Sequence, residues 1–512
     1  MWGYDYITLS EPQKQARQQA LYDVVLCVYI FALSLICFAG LFDAWPLKNT
    51  SLVKAMKRLG WRLKDPIAVR YPQARYVGDW LLVLGWAMFM VMISMWRTEN
   101  DYLHLTKAFG AVAMANLPIH FALSLDSKVL AYISHYPVEY EQRRNFLHRW
   151  LGRIIELLLG IHGSLYLKFF WDTNRMTTRF VEFDVMCGFV GLLVITTLSI
   201  TANQYFRQKI YRFFYFLHIL LSTAILPLLY IHIPYSVRKH LILGFCILVI
   251  LITNARRFLH RIPARGVVRR ISSDLLSLTL TLQKDPRSPI TPGSHAIIQN
   301  PTFSHFHKNP FSVVSVDRRQ IQLVCRVHNG FTRELAEFAE SSQIVELTAR
   351  ISAGPSRYFP DLTKFDNVLF IAGGVGATFA VSWVRELKDR CRFVWAVRSL
   401  DETRWALEEE AVRENVEVYV TGQKEMEEEG TEMTEGLLSK EEGGEVEGLD
   451  KGRIYQGRPN LGRILGEVAG DGRRTAVLVC GPVGMNIMTR RAVAKLGAQG
   501  EKVWLHVEEF GY

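Results

Sequence analysis

The stretch HRWLGRIIELLLGIHG, residues 148–163, is apolar enough to cross a membrane yet carries a histidine at each end. A helix rises about 1.5 Å and turns about 100° per residue, so the step from His148 to His162 covers roughly 21 Å and returns to nearly the same face. The sequence therefore predicts a helix that points two imidazoles at one neighbour, at two different depths.

A second stretch, HILLSTAILPLLYIH, repeats this spacing with His218 and His232. A single histidine at a helix end is often an interfacial anchor, but ionisable groups inside membranes are costly and usually retained for function. Neutral imidazole is also a common axial ligand of haem iron. We therefore predict that His148, His162, His218 and His232 hold two haems, one near each membrane surface. His120, which lacks a partner at this spacing, could approach the inner one.

Apolar residues are concentrated before position 255 of the 512-residue chain. Long apolar runs predict membrane helices, and Pro118 and Pro227 are expected to kink two of them. The predicted spans, seven in number, are residues 23–42, 80–96, 108–125, 150–170, 183–202, 212–232 and 240–255.

The distribution of Lys and Arg among the loops predicts the orientation of these spans in the membrane. Most Lys and Arg residues lie in the loops after the first, third, fifth and seventh spans, which places those loops and the C-terminal half in the cytosol and the N-terminus outside. Basic residues beside anionic lipid explain the net charge of +11 without nucleic-acid binding. The seven cysteines show no paired spacing, so neither a disulfide framework nor a zinc site is expected.

From Arg265 the pattern changes to short alternating segments such as DRRQIQLVCRV, which predict a small antiparallel β-barrel. After Lys364, NVLFIAGGVGATFAVSWVRELK predicts an apolar strand, a glycine turn and a helix, an arrangement that presents backbone N–H groups to a phosphate. Two further strands, CRFVWAV and TAVLVCGP, end at Arg398 and at residues 480–482. Open α/β sheets bind ligands at such carboxyl ends.

With these parts in this order, the chain from about residue 80 onward resembles the ferric reductase and NADPH oxidase superfamily, and fungal plasma-membrane metalloreductases most of all. The resemblance implies a multi-domain protein: an α-helical transmembrane bundle with two b-type haems, then a ferredoxin-reductase-like module. That module would consist of an antiparallel β-barrel FAD domain and an α/β NADPH domain. It also implies a multi-pass protein of the plasma membrane.

The expected division of the chain follows these parts. An N-terminal segment with the first span and a basic loop would occupy residues 1–79. The haem-binding bundle, the FAD domain and the NADPH domain would occupy residues 80–260, 261–364 and 365–512. Residues 422–450 are acidic, glycine-containing and poor in aromatics, which predicts a disordered insertion in the last domain.

Three motifs carry the resemblance for the flavin. NPFSVVS matches the motif that contacts the flavin, and GFTREL resembles the stretch that holds its phosphates. The ending HVEEFGY resembles the family's carboxyl terminus, whose final aromatic shields the flavin, and Phe510 is the matching position. The other implied FAD residues are Pro310, Phe311, Ser312, Gly330, Phe331, Thr332 and Arg333.

Four motifs carry the resemblance for NADPH: the glycine turn, the end of CRFVWAV, and the segments GRP and CGP. The sequence departs from the family at Asn309, where histidine is common, and at Phe379, where a proline often follows the turn. The implied NADPH residues are Gly373, Gly374, Gly376, Thr378, Arg398, Gly457, Arg458, Pro459, Cys480, Gly481 and Pro482.

The function that the resemblance implies is an NADPH-dependent ferric-chelate reductase that supports iron or copper uptake. NADPH delivers a hydride while haem iron takes one electron, so FAD is needed between them. Electrons would reach ferric or cupric chelates on the opposite side of the membrane. The implied partners are these chelates, membrane lipid, and a downstream metal permease or oxidase.

Two other functions remain open on the sequence. A superoxide-generating NADPH oxidase has the same order of cofactors, and nothing in the motifs separates it from a metalloreductase. A transporter or channel with a cytosolic nucleotide-binding domain would leave the spaced histidines unexplained.

Overall fold

A computed structural model describes residues 3–44, 51–64, 76–125, 140–233, 236–286, 289–299, 309–341, 344–352, 359–422, 453–470 and 472–509. These residues form two compact units. The first takes its described residues from Met1–Pro46 and Gly78–Leu259, and the second from Leu47–Val77 and His260–Gly511.

The first unit is built of helices, because a helix satisfies every backbone polar group within one apolar segment. Its long helices are α1 (Glu11–Ala44), α3 (Val77–Met95), α4 (Tyr102–Ala122), α5 (Tyr140–Asp172), α7 (Phe183–Thr201), α9 (Tyr211–His232) and α10 (Val237–Leu259). Two short helices, α6 (Met176–Arg179) and α8 (Gln204–Lys209), lie between them, whereas helix α2 (Ser51–Leu63) belongs to the second unit.

Six helices of the described chain are long and apolar enough to cross a membrane. These spans are Glu11–Leu35, Val77–Met95, Arg143–Asp172, Phe183–Thr201, Tyr211–His232 and Val237–Leu259. Six of the seven predicted spans are therefore matched among the described residues, and the seventh, at 108–125, falls in α4, a helix of 21 residues that this measure does not include.

Helix α4 lies among other helices of the first unit. It packs against α1, α5 and α10, and most of its residues are buried. Thr106 and Asn116 are fully buried, and each donates a hydrogen bond to a backbone carbonyl one turn earlier. Such contacts make polar groups tolerable inside a bundle. The two prolines, Pro118 in α4 and Pro227 in α9, lie within helices that continue through them.

The predicted antiparallel barrel is confirmed, and its first strand begins at Ile262, three residues before the position at which the sequence pattern changes. Alternate residues of that strand are buried, as expected when one face covers a core. The closed barrel has the order β1-β2-β5-β4-β3-β6. Its strands are β1 (Ile262–Arg270), β2 (Leu275–Leu282), β3 (His295–Gln299), β4 (Asn309–Asp317), β5 (Gln320–Arg326) and β6 (Ile344–Ser352), and helix α11 (Phe331–Ser341) packs on β1.

The predicted α/β domain is a six-stranded sheet of order β10-β9-β8-β7-β11-β12 in which every pair is parallel. Its strands are β7 (Asn367–Gly373), β8 (Cys391–Val397), β9 (Val416–Val420), β10 (Ile454–Gln456), β11 (Thr475–Cys480) and β12 (Val503–Glu508). Its helices are α12 (Ala377–Leu387), α13 (Arg404–Leu407), α14 (Glu410–Asn415), α15 (Leu461–Ala469) and α16 (Val483–Gln499). Because all strands run the same way, the motifs that follow them share one edge.

Candidate functional site

The four spaced histidines form two pairs in the helical unit. The ring centroids of His148 on α5 and His218 on α9 are 6.3 Å apart, with an interplanar angle of 69°. Those of His162 and His232, one step further along the same helices, are also 6.3 Å apart, at 83°. The equal step on both helices therefore produces the same separation at two levels.

This separation matches a metal held between two imidazoles. A metal–nitrogen bond is about 2.0 Å and a ring nitrogen lies about 1.1 Å from its centroid, so opposed imidazoles on one metal have centroids about 6.2 Å apart. Both observed pairs fit that value. The residues present therefore fit two bis-histidine haems, the group that the family implies.

Backbone carbonyls orient three of the four rings. A carbonyl oxygen can only accept, so each Nδ1 carries the proton and each Nε2 keeps the lone pair that a metal needs. The acceptors are the carbonyl oxygens of His120 (3.2 Å from His148 Nδ1), Thr106 (2.7 Å from His162 Nδ1) and Asp184 (2.9 Å from His232 Nδ1). For His218, Nδ1 is buried without a partner among the described residues.

Two glycines make room for the outer pair. A Cβ atom on Gly110 of α4 would lie 2.8 Å from the His162 ring, and one on Gly188 of α7 would overlap the His232 ring. Neither glycine was singled out from the sequence, because the neighbour that each must accommodate lies on another helix. The two rings therefore depend on close approach to helices α4 and α7.

A third histidine lies against the inner pair. His120 of α4 stacks on His148 with centroids 4.0 Å apart and an interplanar angle of 14°. Gly152, one turn after His148 on α5, also faces this ring, because a Cβ atom there would lie 3.1 Å from it. No spacing in the sequence predicts this position of His120, and the structure makes it a packing partner of His148.

The barrel strand β4 carries the first flavin motif. Pro310, Phe311 and Ser312 pair with Ile297, Ala296 and His295 of β3. The hydroxyl of Ser312 is buried and has no hydrogen-bond partner among the described residues, and the same holds for the Asn309 side-chain NH₂. Buried polar atoms normally have partners. These groups therefore fit a ligand with polar atoms, such as a flavin.

The second flavin motif forms the start of α11. Gly330 has φ = +101°, a left-handed conformation that favours glycine, and Phe331 begins the helix. The Phe331 ring lies 6.2 Å from that of Phe311, so the two motifs adjoin. Thr332 Oγ1 accepts from the His328 N–H at 2.8 Å, and Arg333 is exposed. A free helix start beside an arginine suits the flavin phosphates.

The glycine turn and the CGP motif lie against each other at the ends of β7 and β11. A Cβ atom on Gly376 would overlap the carbonyl oxygen of Cys480, and one on Gly373 would overlap the Pro482 ring. Gly374 has φ = +53°, and its carbonyl accepts from Trp395 Nε1 at 2.9 Å. Because these glycines lack a Cβ atom, the turn after β7 and the segment after β11 can meet at the sheet edge, where a nucleotide would approach.

The remaining nucleotide candidates lie along the same edge. Thr378 is buried in the first turn of α12 and donates to the Val375 carbonyl at 3.0 Å. Gly457 follows β10 with φ = +87°, and Pro459 is buried. Arg398 after β8 and Arg458 after β10 are exposed, so their guanidinium groups are accessible to an anion.

We expect Gly376→Ala to abolish NADPH-driven reduction of the flavin. The added methyl group meets backbone rather than a flexible side chain, so the turn or β11 must shift. Stopped-flow flavin bleaching should fall at least about tenfold, as for loss of a ligand-positioning group. Gly466→Ala on α15, where a Cβ atom meets nothing, is the matched control. Unchanged bleaching in Gly376→Ala would show that the turn does not bind the nucleotide.

A buried charged cluster of three residues was not anticipated from the sequence. Glu508, at the end of β12, accepts from His295 Nε2 of β3 at 3.2 Å and from His506 Nε2 at 2.8 Å. Glu508 pairs with Cys480 across the sheet, and His295 pairs with Ser312 across the barrel. The cluster therefore joins the flavin and nucleotide motifs. No spacing in one sequence indicates a contact between residues so far apart in the chain.

The pKa of the Glu508 carboxyl and the pKa of the nearby Cys480 thiol are shifted in opposite directions. Burial alone raises the pKa of Glu508, but the hydrogen bonds from His295 and His506 outweigh it and lower the pKa to about 2. Burial, with smaller contributions from Glu508 and Glu509, raises the pKa of Cys480 well above its usual value. Near neutral pH the edge therefore presents a carboxylate beside a neutral thiol.

Glu508 should make the second unit sensitive to acid. Its folded pKa lies below the unfolded value of about 4.3, so the carboxylate stabilises the fold above that pH and the contribution is lost as pH falls towards 2. Lowering the pH from 5 to 3 should destabilise the wild type by about 1.5 kcal/mol more than Glu508→Gln, as measured by thermal unfolding followed by flavin fluorescence. Parallel curves for both proteins would contradict this.

Two predicted features lie outside the residues that the structure describes. Phe510 follows the last described residue, Glu509. The acidic insertion at 422–450 is described only at Gly422, whose position is beside the Arg398 backbone.

Three family models match successive parts of the chain. Residues 109–229 match the ferric reductase like transmembrane component, residues 266–377 match an FAD-binding domain, and residues 365–494 match the ferric reductase NAD binding domain. The matches fall on the helical unit, the barrel and the parallel sheet, in the order predicted.

Curated relatives carry related names. A probable metalloreductase AIM14 of Yarrowia lipolytica is 26% identical over 415 residues, which cover 77% of this chain and 74% of that protein. A probable metalloreductase AIM14 of Meyerozyma guilliermondii is 24% identical, covering 81% and 88%. A probable cell surface ferric reductase kap2 of Aspergillus oryzae is 25% identical, covering 59% of this chain and 44% of its own.

The order of the matched domains, the apolar helices and the names of these relatives all indicate the same family. The chain is an integral membrane oxidoreductase with FAD- and NAD-binding domains, and it belongs to the ferric reductase superfamily.

Proposed function

We propose that the chain is an NADPH-dependent metalloreductase that moves electrons from cytosolic NADPH across the membrane to ferric or cupric chelates. The observation that carries this proposal is the repeated 6.3 Å separation of histidine pairs on one pair of helices. Its relatives named metalloreductases and ferric reductases support the choice of substrate.

The helical unit would hold two b-type haems. His148 and His218 would ligate the inner one, and His162 and His232 the outer one, as the basic cytosolic loops orient these helices. The carbonyls of Thr106 and Asp184 fix the outer rings with Nε2 free. Bound FAD converts a hydride into single electrons, and bound haems carry single electrons through the membrane.

The second unit would bring the nucleotide and the flavin together. Gly373, Gly374 and Gly376 admit the nucleotide to the sheet edge, and Ser312 offers its unpartnered hydroxyl to the flavin. The exposed Arg398 and Arg458 favour NADPH over NADH, because its additional phosphate needs a cation.

Two imidazoles at each iron favour an acceptor that does not bind the metal. Two histidines on each iron would leave no position for an acceptor, so the acceptor would receive electrons without coordination, and metal chelates suit such transfer. The reduced metal would form outside the cell, where a permease or oxidase would take it up. We therefore propose a location in the plasma membrane, with the N-terminus outside.

The acceptor can be tested with membranes that contain the protein, supplied with NADPH and a ferric chelate. The assay is run in air with superoxide dismutase, and again without oxygen. Equal formation of ferrous iron supports direct reduction of the metal. A signal that disappears under both conditions would identify oxygen as the acceptor and the protein as an oxidase.

A further inference from the structure

A segment of the chain that lies between two membrane helices packs in the other unit. Helix α2 and Tyr76 lie between α1 and α3 in sequence, yet residues Leu47–Val77 belong to the unit that contains the barrel and the sheet. Within that unit, α2 packs against α16 of the nucleotide-binding domain. The residues of this segment that the structure describes, 51–64 and Tyr76, are called the docking segment below.

The first contact joins Trp61 of α2 to Gly497 of α16. A Cβ atom at Gly497 would lie 2.5 Å from the indole ring, so only glycine lets the ring lie flat against the helix backbone. Glycine in the interior of a helix is unfavourable relative to alanine. The indole therefore explains why a glycine stands two residues before the end of α16.

The second contact lies on the same face of α16. Arg490 is seven residues before Gly497, which is two helical turns, so both project to one side. The guanidinium of Arg490 lies 5.0 Å from the centroid of the Tyr76 ring, and both residues are buried. Two aromatic side chains of the docking segment therefore contact one face of α16.

Arg490 also connects this face of α16 to the edge of the sheet at which the nucleotide motifs lie. Its guanidinium donates to Glu509 at 2.9 Å, and Glu509 follows Glu508 of the buried cluster. Burying an arginine costs free energy unless the charge is paired, so removal of one partner destabilises the remaining contacts of the guanidinium. Tyr76 and Glu509 therefore share one buried cation.

We propose that α2 and Tyr76 form a docking segment for α16, and that electron delivery to the membrane requires its docked state. The chain joins this segment to α1 on one side and to α3 on the other, so docking connects α16 through the chain to these two helices. The part concerning electron delivery rests on the proposed function, whereas the docking contact does not.

Crosslinking tests the contact without reference to activity. The double variant Trp61→Cys with Gly497→Cys, in full-length protein in membranes, is treated with a short thiol-specific bifunctional reagent. An internal crosslink between α2 and α16 is expected, detected by mass spectrometry. The pair Trp61→Cys with Lys495→Cys is the control, because it also lacks the indole and Lys495 lies on the exposed opposite side of α16. Equal crosslinking of both pairs, or of neither, would overturn the proposal.

Bulk added at Gly497 tests the consequence. Gly497→Leu should lower NADPH-driven ferric-chelate reduction about tenfold, as expected when a dominant state becomes a minor one, while NADPH-driven flavin bleaching stays within about twofold. Lys495→Leu, on the exposed opposite side of α16, should leave both rates unchanged. Tyr76→Leu should resemble Gly497→Leu.

The outcomes separate the two proposals. Wild-type chelate reduction by Gly497→Leu, or loss of its flavin bleaching, would contradict a docking role. If the variant Trp61→Cys with Gly497→Cys forms the specific crosslink but the wild type reduces no chelate, the docking contact stands and the proposed function fails.

Discussion

Replacing His162 by alanine is expected to lower the haem content from two per chain to about one and to leave NADPH-driven flavin reduction intact. The outer pair loses one of two axial ligands, whereas His148 and His218 are roughly 21 Å away along the helices. Chelate reduction should fall at least about 100-fold, since loss of a mere supporting group already costs 10–100-fold at metal sites. Haem is counted spectrophotometrically against protein.

The control for this variant is His240→Ala. His240 lies in the same bundle, outside either pair, and its ring packs at an angle against Tyr230 with centroids 4.6 Å apart. It should retain both haems. Two haems in His162→Ala would remove this residue from the ligand set, and loss of flavin reduction would show that the variant disturbs more than the outer site.

The second large effect is expected from one methyl group on Gly188. Alanine is the better helix former by about 1 kcal/mol, so Gly188→Ala should favour α7 itself. Its Cβ atom would nevertheless overlap the His232 ring, which is held against that helix by the carbonyl of Asp184, one turn earlier in α7. The ring must move, and the outer haem should be lost or greatly reduced.

Gly244→Ala on α10 is the matched control, because nothing lies within 4 Å of the added atom. Both variants should insert and fold equally, as judged by yield in membranes and by retention of the inner haem. A normal complement of two haems in Gly188→Ala would show that His232 does not need this glycine.

Much of the fold could be predicted because its signals are local. The fourteen-residue step on two apolar helices led to the histidine pairs that the structure places 6.3 Å apart. Period-two alternation led to the barrel, and continuous apolar strands such as Phe393–Val397 led to the parallel sheet. Periodicity reports which face of an element is buried, so it also indicates how elements pack.

The remaining features depend on contacts between distant parts of the chain. The stacking of His120 on His148 and the hydrogen bonds that hold Glu508 connect residues on different elements, and no spacing encodes them. Hydropathy also gave no indication that α4 is buried, because Thr106 and Asn116 bond to carbonyls of that helix itself and can therefore lie among its neighbours. The docking of Trp61 on Gly497 is of the same kind.

Electron transfer across the membrane is tested most directly in sealed vesicles with the nucleotide-binding domains outside. A ferric chelate is trapped inside, NADPH is added outside, and oxygen is removed. We predict that ferrous iron forms in the lumen, and that this stops in His162→Ala. Ferrous iron that forms only when the chelate is on the NADPH side would contradict transmembrane transfer.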